Sequence, residues 1–489
     1  MKKIVLFGGG TGLSQILKGL KLFPVEVSAI ISVSDNGGST GMLKEELDMP
    51  AIGDIAKVVI SMADVNKDIM NMLSYRFDDR TSLENHPIKN LLLAALYDIK
   101  GNLTESTEIL CKFLNIKGKI LPLTEEKVEL VGRLKDKKIV IGEENITNCY
   151  SVIEDLSYNK KFEVNKKVFK EVKEADLIIF SPGSLWTSIM PHLIVPEVCE
   201  EIRKSKAKKM YISNLFTQTG ETDNFKVSDH VNLIEKYLGC KLDVVLSNNK
   251  KIDEKLVKKY QTEEQKDPII LDKENINANI IEDFIYEIEN GSIRHDSLKT
   301  AYLIFSYLCD ICKERFGFEP HPVVFGNINS KIVQISQAPS ATVYQTLKPF
   351  TDLSGKKLKY DWYKISDETF YNFNNFYITS LAHCYPGKDK NGNDRVPPKV
   401  CYEKWVKKEI EYVNNELYIV IGSKAAKVFF PREKFNNLVF KNNYINGKLT
   451  IVLPHPSPLN IKWFKDHPEF MNERIYEVRN IINKTLDLN

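Results

Sequence analysis

The sequence predicts an α/β protein made of two successive modules. Three observations carry this. The first three hundred residues alternate short apolar, β-rich runs with helical stretches. Three loops rich in small residues follow three of those runs. The alternation then restarts near residue 303. At 489 residues the chain exceeds one ordinary hydrophobic core, so more than one domain is expected.

In the first part, KKIVLF, VSAIISVS, ADLIIFSP, KKMYISN and LDVVLSNN read as buried strands, and LSQILKGLKLF and VPEVCEEIRKSK carry helical periodicity. Strands separated by helices imply a mostly parallel sheet covered on both faces. The Lys/Glu-rich stretch at about 250–275 reads as an exposed helix and loop. From about residue 303, TAYLIFSYLCDICKERF reads as a helix. SKIVQIS, NFYITSL, LYIVIGSKAAKVFF and LTIVLP then follow as the frame of a second, smaller α/β domain, giving modules 1–304 and 305–489.

With 43% apolar and 27% charged residues, the composition is that of a globular protein. No apolar run is long enough to span a bilayer, so no membrane partner is expected. MKKIVLF reads as a first strand rather than a leader, which points to the cytoplasm. Residues 309–489 hold 26 Lys+Arg against 19 Asp+Glu, whereas the remainder holds 42 against 46. A basic C-terminal module suits a polyanion such as nucleic acid; a solvated surface gives the same balance. Cys111, Cys149, Cys199 and Cys240 are scattered as buried thiols are. Cys309, Cys312, Cys384 and Cys401 combine a CxxC with two further cysteines, which suggests a metal site, zinc or iron–sulfur, before disulfides.

GGGTG (Gly8–Gly12) lies between a strand and a helix, where glycines let backbone approach a phosphate at a helix N-terminus; a tight structural turn fits equally. SDNGGSTG (Ser34–Gly41) and SPGSLWTS (Ser181–Ser188) also follow strands. Three such loops would line the carboxyl edge of one sheet, the place where open α/β folds bind ligands, and a phosphorylated ligand or nucleotide is expected there.

These stretches, with GDI at 53–55, NLLLAAL at 90–96, TGETDNF and SIRHD at 292–296, resemble the YvcK/CofD-like family, nearest its gluconeogenesis-factor branch. The resemblance covers roughly residues 1–305. It implies a Rossmann-like, doubly wound domain that binds a nucleotide sugar, UDP-N-acetylglucosamine above all, in a regulatory role. Gly9, Gly10, Thr11, Asp35, Asn90, Ser181 and Gly183 would line the site, with Tyr260 and Arg294 reaching the sugar nucleotide. The family's Arg-Asn after GDI is replaced by Ala56 and Lys57, and its Gly-His-Ser-x-Gly-Asn run by Asn85–Asn90. His86 and His230 read as structural.

In the second module HPSPLN follows the strand LTIVL, and Pro454, Pro456 and Pro458 fix the backbone around His455. A lone histidine is usually structural, but one locked at a strand's carboxyl end is a better active-site candidate. HPSPL resembles the second motif of uracil-DNA glycosylases, and SQAPSATVYQTLKPFTDLSG (336–355) their first motif and the loop after it. The four cysteines resemble those of the iron–sulfur, family 4 type. The match spans roughly residues 303–489. It implies a three-layer α/β domain acting on DNA, with a [4Fe–4S] cluster on Cys309, Cys312, Cys384 and Cys401. Phe350 would stack on a flipped base, His455 would stabilise charge on the departing base, and Leu459 would fill the hole left in the stack. Gln337 stands where the first motif carries a carboxylate or Asn, and holds a water at most. Ser380 stands where the base-reading Asn is expected. Asp352 and Asp394 are candidate bases, with surface carboxylates the preferred reading of each. The alternatives are a non-catalytic sensor that kept the glycosylase fold, and a CofD-like phosphotransferase with an appended nucleic-acid module. A homodimer is compatible with any of these.

Overall fold

The computed structural model describes residues 2–23, 25–149, 151–289, 291–308, 322–346, 348–390, 392, 394–458 and 460–488. The chain divides into two compact units, Met1–Ala301 and Tyr302–Asn489.

The first unit contains β1 (Lys2–Gly8), β2 (Val25–Ile31), β3 (Lys119–Pro122), β4 (Leu130–Leu134), β5 (Ile139–Ile141), β6 (Ile153–Tyr158), β7 (Leu177–Phe180), β8 (Lys208–Ile212), β9 (Val244–Asn248), β10 (Asn279–Asp283), β11 (Tyr286–Glu289) and β12 (Ser292–His295). Among the described residues a seven-stranded sheet has the order β10-β9-β8-β7-β1-β2-β3. Every pairing in it is parallel. Side chains of both parities on the central strands are buried: Val5, Phe7, Ile178 and Phe180 on one face, Ile4, Leu6 and Ile179 on the other. This is why these strands read as continuous apolar runs rather than as alternation. Val168 and Val172, Val198 and Ile202, and Val231, Ile234 and Leu238 bring three amphipathic helices onto the first face. From β1 the chain builds outward through β2 and β3, then returns to build the other side from β7. The strand order therefore reverses between β1 and β7, the kind of switch point at whose carboxyl edge open α/β sheets place their ligands.

Two further sheets in this unit are antiparallel: β5-β4-β6 and the hairpin β11-β12. They add to the mostly parallel sheet expected from sequence.

The second unit contains β13 (Ile332–Ser336), β14 (Phe376–Ser380), β15 (Leu417–Ile421), β16 (Asn443–Ile445) and β17 (Lys448–Leu453), in the order β14-β13-β15-β17-β16. The first four strands of that order are parallel, and β16 is an antiparallel edge strand. Here too the order reverses beside β13. The run LYIVIGSKAAKVFF divides into β15 and a helix, Ser423–Phe429. Among the described residues no helix is long and apolar enough to cross a membrane.

Candidate functional sites

In the first unit the loops after β1, β2 and β7 meet at the switch point, as three neighbouring strands require. The glycines there make room for each other's loops. A Cβ on Gly12 would lie 1.8 Å from the Pro182 carbonyl oxygen, and one on Gly10 would lie 2.1 Å from Asp54 Oδ1. Gly9 faces Ser188 and Asp54, Ser181 stands over Gly8, and Gly183 lies against Ser188. Thr11 is exposed at the start of the helix Gly10–Leu20. Asp35 accepts the Gly37 N–H at 3.0 Å. Asn90 is buried, and its Nδ2 donates to Ser39 Oγ, which also contacts His86 Nδ1 at 2.9 Å. The Asn90 Oδ1 has no hydrogen-bond partner among the described residues. His86 and His230 both sit in hydrogen-bonded packing, His230 with its Nδ1 at 2.7 Å from Tyr211 OH.

This edge is acidic. Asp35, Asp54, Glu143 and Glu221 gather around it, with Lys57 reaching Asp54 Oδ1 at 3.3 Å. Burial pushes the Asp35 carboxyl above its usual range, and the Asp54 charge adds to the effect. Burial also drives Glu143 well above the ordinary carboxylate range, with Asp54 and Asp35 contributing. Glu221 is pushed up to about 7, chiefly by burial, although it accepts hydrogen bonds from Ser184, Gln218 and Thr147. Glu143 was not anticipated. Glu221 and Asp54 lay inside quoted stretches, but nothing in their spacing distinguishes them from surface acids.

Tyr260 and Arg294 form a second grouping. The Tyr260 ring is buried and stacks on Phe216 at 4.4 Å, and its hydroxyl accepts the Ile293 N–H at 2.8 Å. Arg294, the next residue on β12, is exposed and opposite Glu287 in the hairpin register. A cavity of about 1090 Å³ lies over the carboxyl ends of β8 and β9, with Asn214, Asn248, Lys226, Lys250 and Lys273 among its walls. Asn214 also holds Gly183 through two hydrogen bonds, Nδ2 to the carbonyl at 2.6 Å and N–H to Oδ1 at 3.3 Å. This links the cavity to the switch-point loops.

In the second unit a cavity of about 480 Å³ lies over the carboxyl ends of the four parallel strands. Ser336 reaches it from the end of β13 and Gln337 from just beyond, Ser380 from β14, Lys424 from the first turn of the helix Ser423–Phe429 that follows β15, and His455 from the loop after β17. Phe350 lies on its wall in the left-handed region, φ 56°, a strained state for a bulky residue that its surroundings must enforce. Tyr371 OH donates to the carbonyls of Pro349 and Phe350. Gly355 packs so closely beneath the turn that a Cβ there would meet the Phe350 carbonyl oxygen at 1.9 Å. The Ser380 hydroxyl is 2.7 Å from that of Ser336.

His455 Nδ1 accepts the Ser457 N–H at 3.1 Å, an acceptor role that places the proton of the neutral ring on Nε2. The ring edge is open to solvent, yet the protein packed around the turn disfavours its charged form. Burial lowers its pKa from 6.5, and the Asp352 carboxylate partly opposes this. Asp352 and Asp394, for which the sequence favoured a solvated surface, both stand on the cavity wall.

Two of the four grouped cysteines are described. Cys384 is buried just beyond β14, and Cys401 is partly buried at the end of the short helix Lys399–Cys401. Cys309, Cys312 and Leu459 lie outside the described residues. Among the described residues no group of three metal-ligating side chains forms. Cys384 and Cys401 supply sulfurs of the kind that ligate an iron–sulfur cluster, one buried and one partly buried.

A parallel sheet with glycine-rich loops at its switch point, followed by a second, largely parallel sheet whose strand ends surround a histidine-bearing cavity, defines a two-module α/β protein. The family model described as 2-phospho-L-lactate transferase CofD matches residues 4–285, and the uracil DNA glycosylase superfamily model matches residues 323–479. The chain belongs to the CofD family, and it carries a uracil DNA glycosylase superfamily domain in its C-terminal region. It is 38% identical over 317 residues to the gluconeogenesis factor of Bacillus subtilis, covering 64% of this chain and 98% of that one. It is 36% identical over 311 residues to the gluconeogenesis factor of Halalkalibacterium halodurans, covering 62% and 95%. A crystal structure of a UPF0052 family member from Bacillus halodurans superposes with a TM-score of 0.60 at 35% identity, covering 62% of this chain and 99% of that one. The chain is thus a fusion of a CofD/gluconeogenesis-factor domain with a uracil DNA glycosylase superfamily domain.

Proposed function

We propose that the second unit hydrolyses the N-glycosidic bond of a damaged base flipped out of DNA, and that the first unit is a regulatory module binding a nucleotide sugar. The observation that carries the glycosylase reading is His455. Its Nδ1 is engaged by the Ser457 N–H, so a neutral ring presents Nε2–H at a cavity over four strand ends. Bond cleavage builds negative charge on the base oxygen. A donor already oriented toward that charge stabilises the transition state without reorganisation. Phe350, held rigid by its turn, offers the stacking face, and Ser380 a hydroxyl toward the base edge. A hydroxyl engaged with Ser336 reads a base less selectively than an amide, so the reading commits to a damaged base rather than to uracil alone. Lys424 and Arg395 at the rim supply cations for phosphates. A [4Fe–4S] cluster on Cys309, Cys312, Cys384 and Cys401 would bind together chain segments distant in sequence; its role here is structural.

For the first unit, the ligand we infer is UDP-N-acetylglucosamine, its diphosphate at the switch-point loops and the rest directed toward the neighbouring cavity. The Asn214–Gly183 pair that joins the two features supports this placement.

The test uses anaerobically purified full-length protein and duplexes carrying a panel of base lesions, with abasic sites detected by strand cleavage in alkali. The wild type forms abasic sites on at least one lesion. His455→Ala slows single-turnover cleavage by about 10²–10³-fold, the scale for one preorganised donor, while DNA affinity is retained. A wild type that binds DNA and forms no abasic site on any lesion defeats the glycosylase reading in favour of a binding module.

A further inference from the structure

Hydrolysis of a glycosidic bond needs a group that orients the attacking water and takes up its proton, and the motif position expected to supply one is filled by Gln337. His455 cannot serve, because its Nδ1 is engaged and its Nε2 carries the proton. Ser380 is engaged with Ser336. Among the described residues on the cavity wall the carboxylates are Asp352 and Asp394. Asp394 is exposed and accepts the Tyr385 hydroxyl at 2.8 Å. Asp352 is half-buried, and each of its oxygens is fixed by one hydrogen bond: Oδ2 accepts Ser340 Oγ at 2.9 Å, and Oδ1 accepts the Gly355 N–H at 2.9 Å. A carboxylate has about four acceptor sites, so lone pairs on both oxygens remain available.

We propose that Asp352 is the catalytic carboxylate of this cavity, orienting the attacking water and accepting its proton. The proposal rests on the glycosylase reading above. Asp352 lies two residues beyond Phe350 and is tied to Ser340, so it is fixed between the base-stacking turn and the loop after β13. It is also near enough for its charge to act on His455, which sets the two groups across one cavity. The reaction balances with water alone. The C1′–N bond breaks and its electron pair leaves with the base, whose oxygen receives the His455 Nε2–H hydrogen bond. The water oxygen bonds to C1′ while one of its protons passes to Asp352 and from there to solvent. The base anion takes a proton from solvent, leaving free base and an abasic sugar, with no change of oxidation state.

The competing explanation of Asp352 is local. It caps the short helix Leu353–Lys356, for which an aspartate needs no catalytic role. Asp352→Asn separates the two, because asparagine caps a helix as well as aspartate but accepts no proton. With the same full-length protein and lesion duplexes, Asp352→Asn is expected to lower the single-turnover rate by about 10²–10⁴-fold, the range for general-base loss. DNA affinity and melting temperature stay at the wild-type level. Asp352→Glu, which restores a carboxylate, recovers part of the rate. Should Asp352→Asn melt early, Asp352→Ser keeps a capping oxygen and replaces it in the comparison. A wild type that cleaves with Asp352→Asn or Asp352→Ser cleaving equally well overturns this proposal and leaves the glycosylase reading standing. A wild type without any abasic product removes both.

Discussion

Glu221 allows the acidic edge of the first unit to be tested by stability alone. Its carboxyl accepts hydrogen bonds from Ser184, Gln218 and Thr147, yet burial outweighs them and raises it from 4.5 to about 7. The folded protein therefore holds this proton where the unfolded chain has lost it. The sign follows: the group's contribution to stability is fully present below about pH 4.5 and is lost as pH rises through 7. At about 1.4 kcal/mol per pH unit, the loss approaches ~3 kcal/mol by pH 8. Glu221→Gln removes the titration. Any constant cost of the new amide cancels when the stability difference between variant and wild type is compared at two pH values, so the variant should gain ~2.5 kcal/mol on the wild type between pH 5 and pH 8. Neutralising Glu221 also relieves Glu143, which it repels, and this adds in the same direction. Urea unfolding read by pulse thiosulfonate labelling of the buried Cys199 confines the measurement to the first unit. A stability difference that is the same at both pH values refutes the reasoning.

Three other outcomes follow from the geometry. Gly12→Ala should destabilise the first unit by at least about 1–3 kcal/mol, since its Cβ meets a carbonyl oxygen that no rotamer can move, and the same urea assay reads it. Arg294→Ala, on the exposed strand beside the Tyr260-bonded Ile293, should weaken UDP-N-acetylglucosamine binding by about 1.5–3 kcal/mol in calorimetry; unchanged affinity removes Arg294 from the site. Cys384→Ser and Cys401→Ser should each abolish the broad visible absorption of anaerobically purified protein and destabilise the second unit. A colourless wild type carrying stoichiometric zinc contradicts the cluster.

The parallel strands were legible because burial on both faces leaves an uninterrupted apolar run, as in LIIF of β7 and LYIVI of β15. Once those strands are parallel, the loops after them share an edge, which is how SDNGGSTG and SPGSLWTS could be placed together. His455 was legible because prolines on both sides leave a turn with few conformations. The antiparallel sheet β4–β6 was missed: its strands run three to six residues, Ile153–Tyr158 mixes buried with exposed positions, and both isoleucines of Ile139–Ile141 are exposed. Burial of Glu143 and Glu221 has no local signature, since it is created by loops from other strands. Asp352 is a related case. The sequence offered it as a candidate base but favoured a solvated surface carboxylate; in the fold it caps the helix Leu353–Lys356, and only tertiary placement puts the same carboxylate on a cavity wall.

Both units put their polar groups at the carboxyl ends of parallel strands beside a reversal of strand order, but the two edges differ in charge. The second presents Lys424, Arg395 and a neutral His455, a setting a DNA backbone can approach directly. The first sets Asp54 against Gly9 and Gly10, with Asp35, Glu143 and Glu221 near enough to act on one another and Lys57 as a partial counter-charge, and a diphosphate would be repelled there if all four carboxyls were ionised. Burial resolves the conflict. It shifts Glu143 toward its neutral form and leaves Glu221 divided between its forms near pH 7, and a protonated carboxyl donates a hydrogen bond where a carboxylate repels. Raising the pH from 6 to 8 should therefore weaken nucleotide-sugar binding in the wild type and leave Glu221→Gln much less affected, because the amide keeps a donor at every pH. Equal pH dependence in the two proteins would show that Glu221 does not meet the ligand, and that the acidic edge serves only the packing of its own loops.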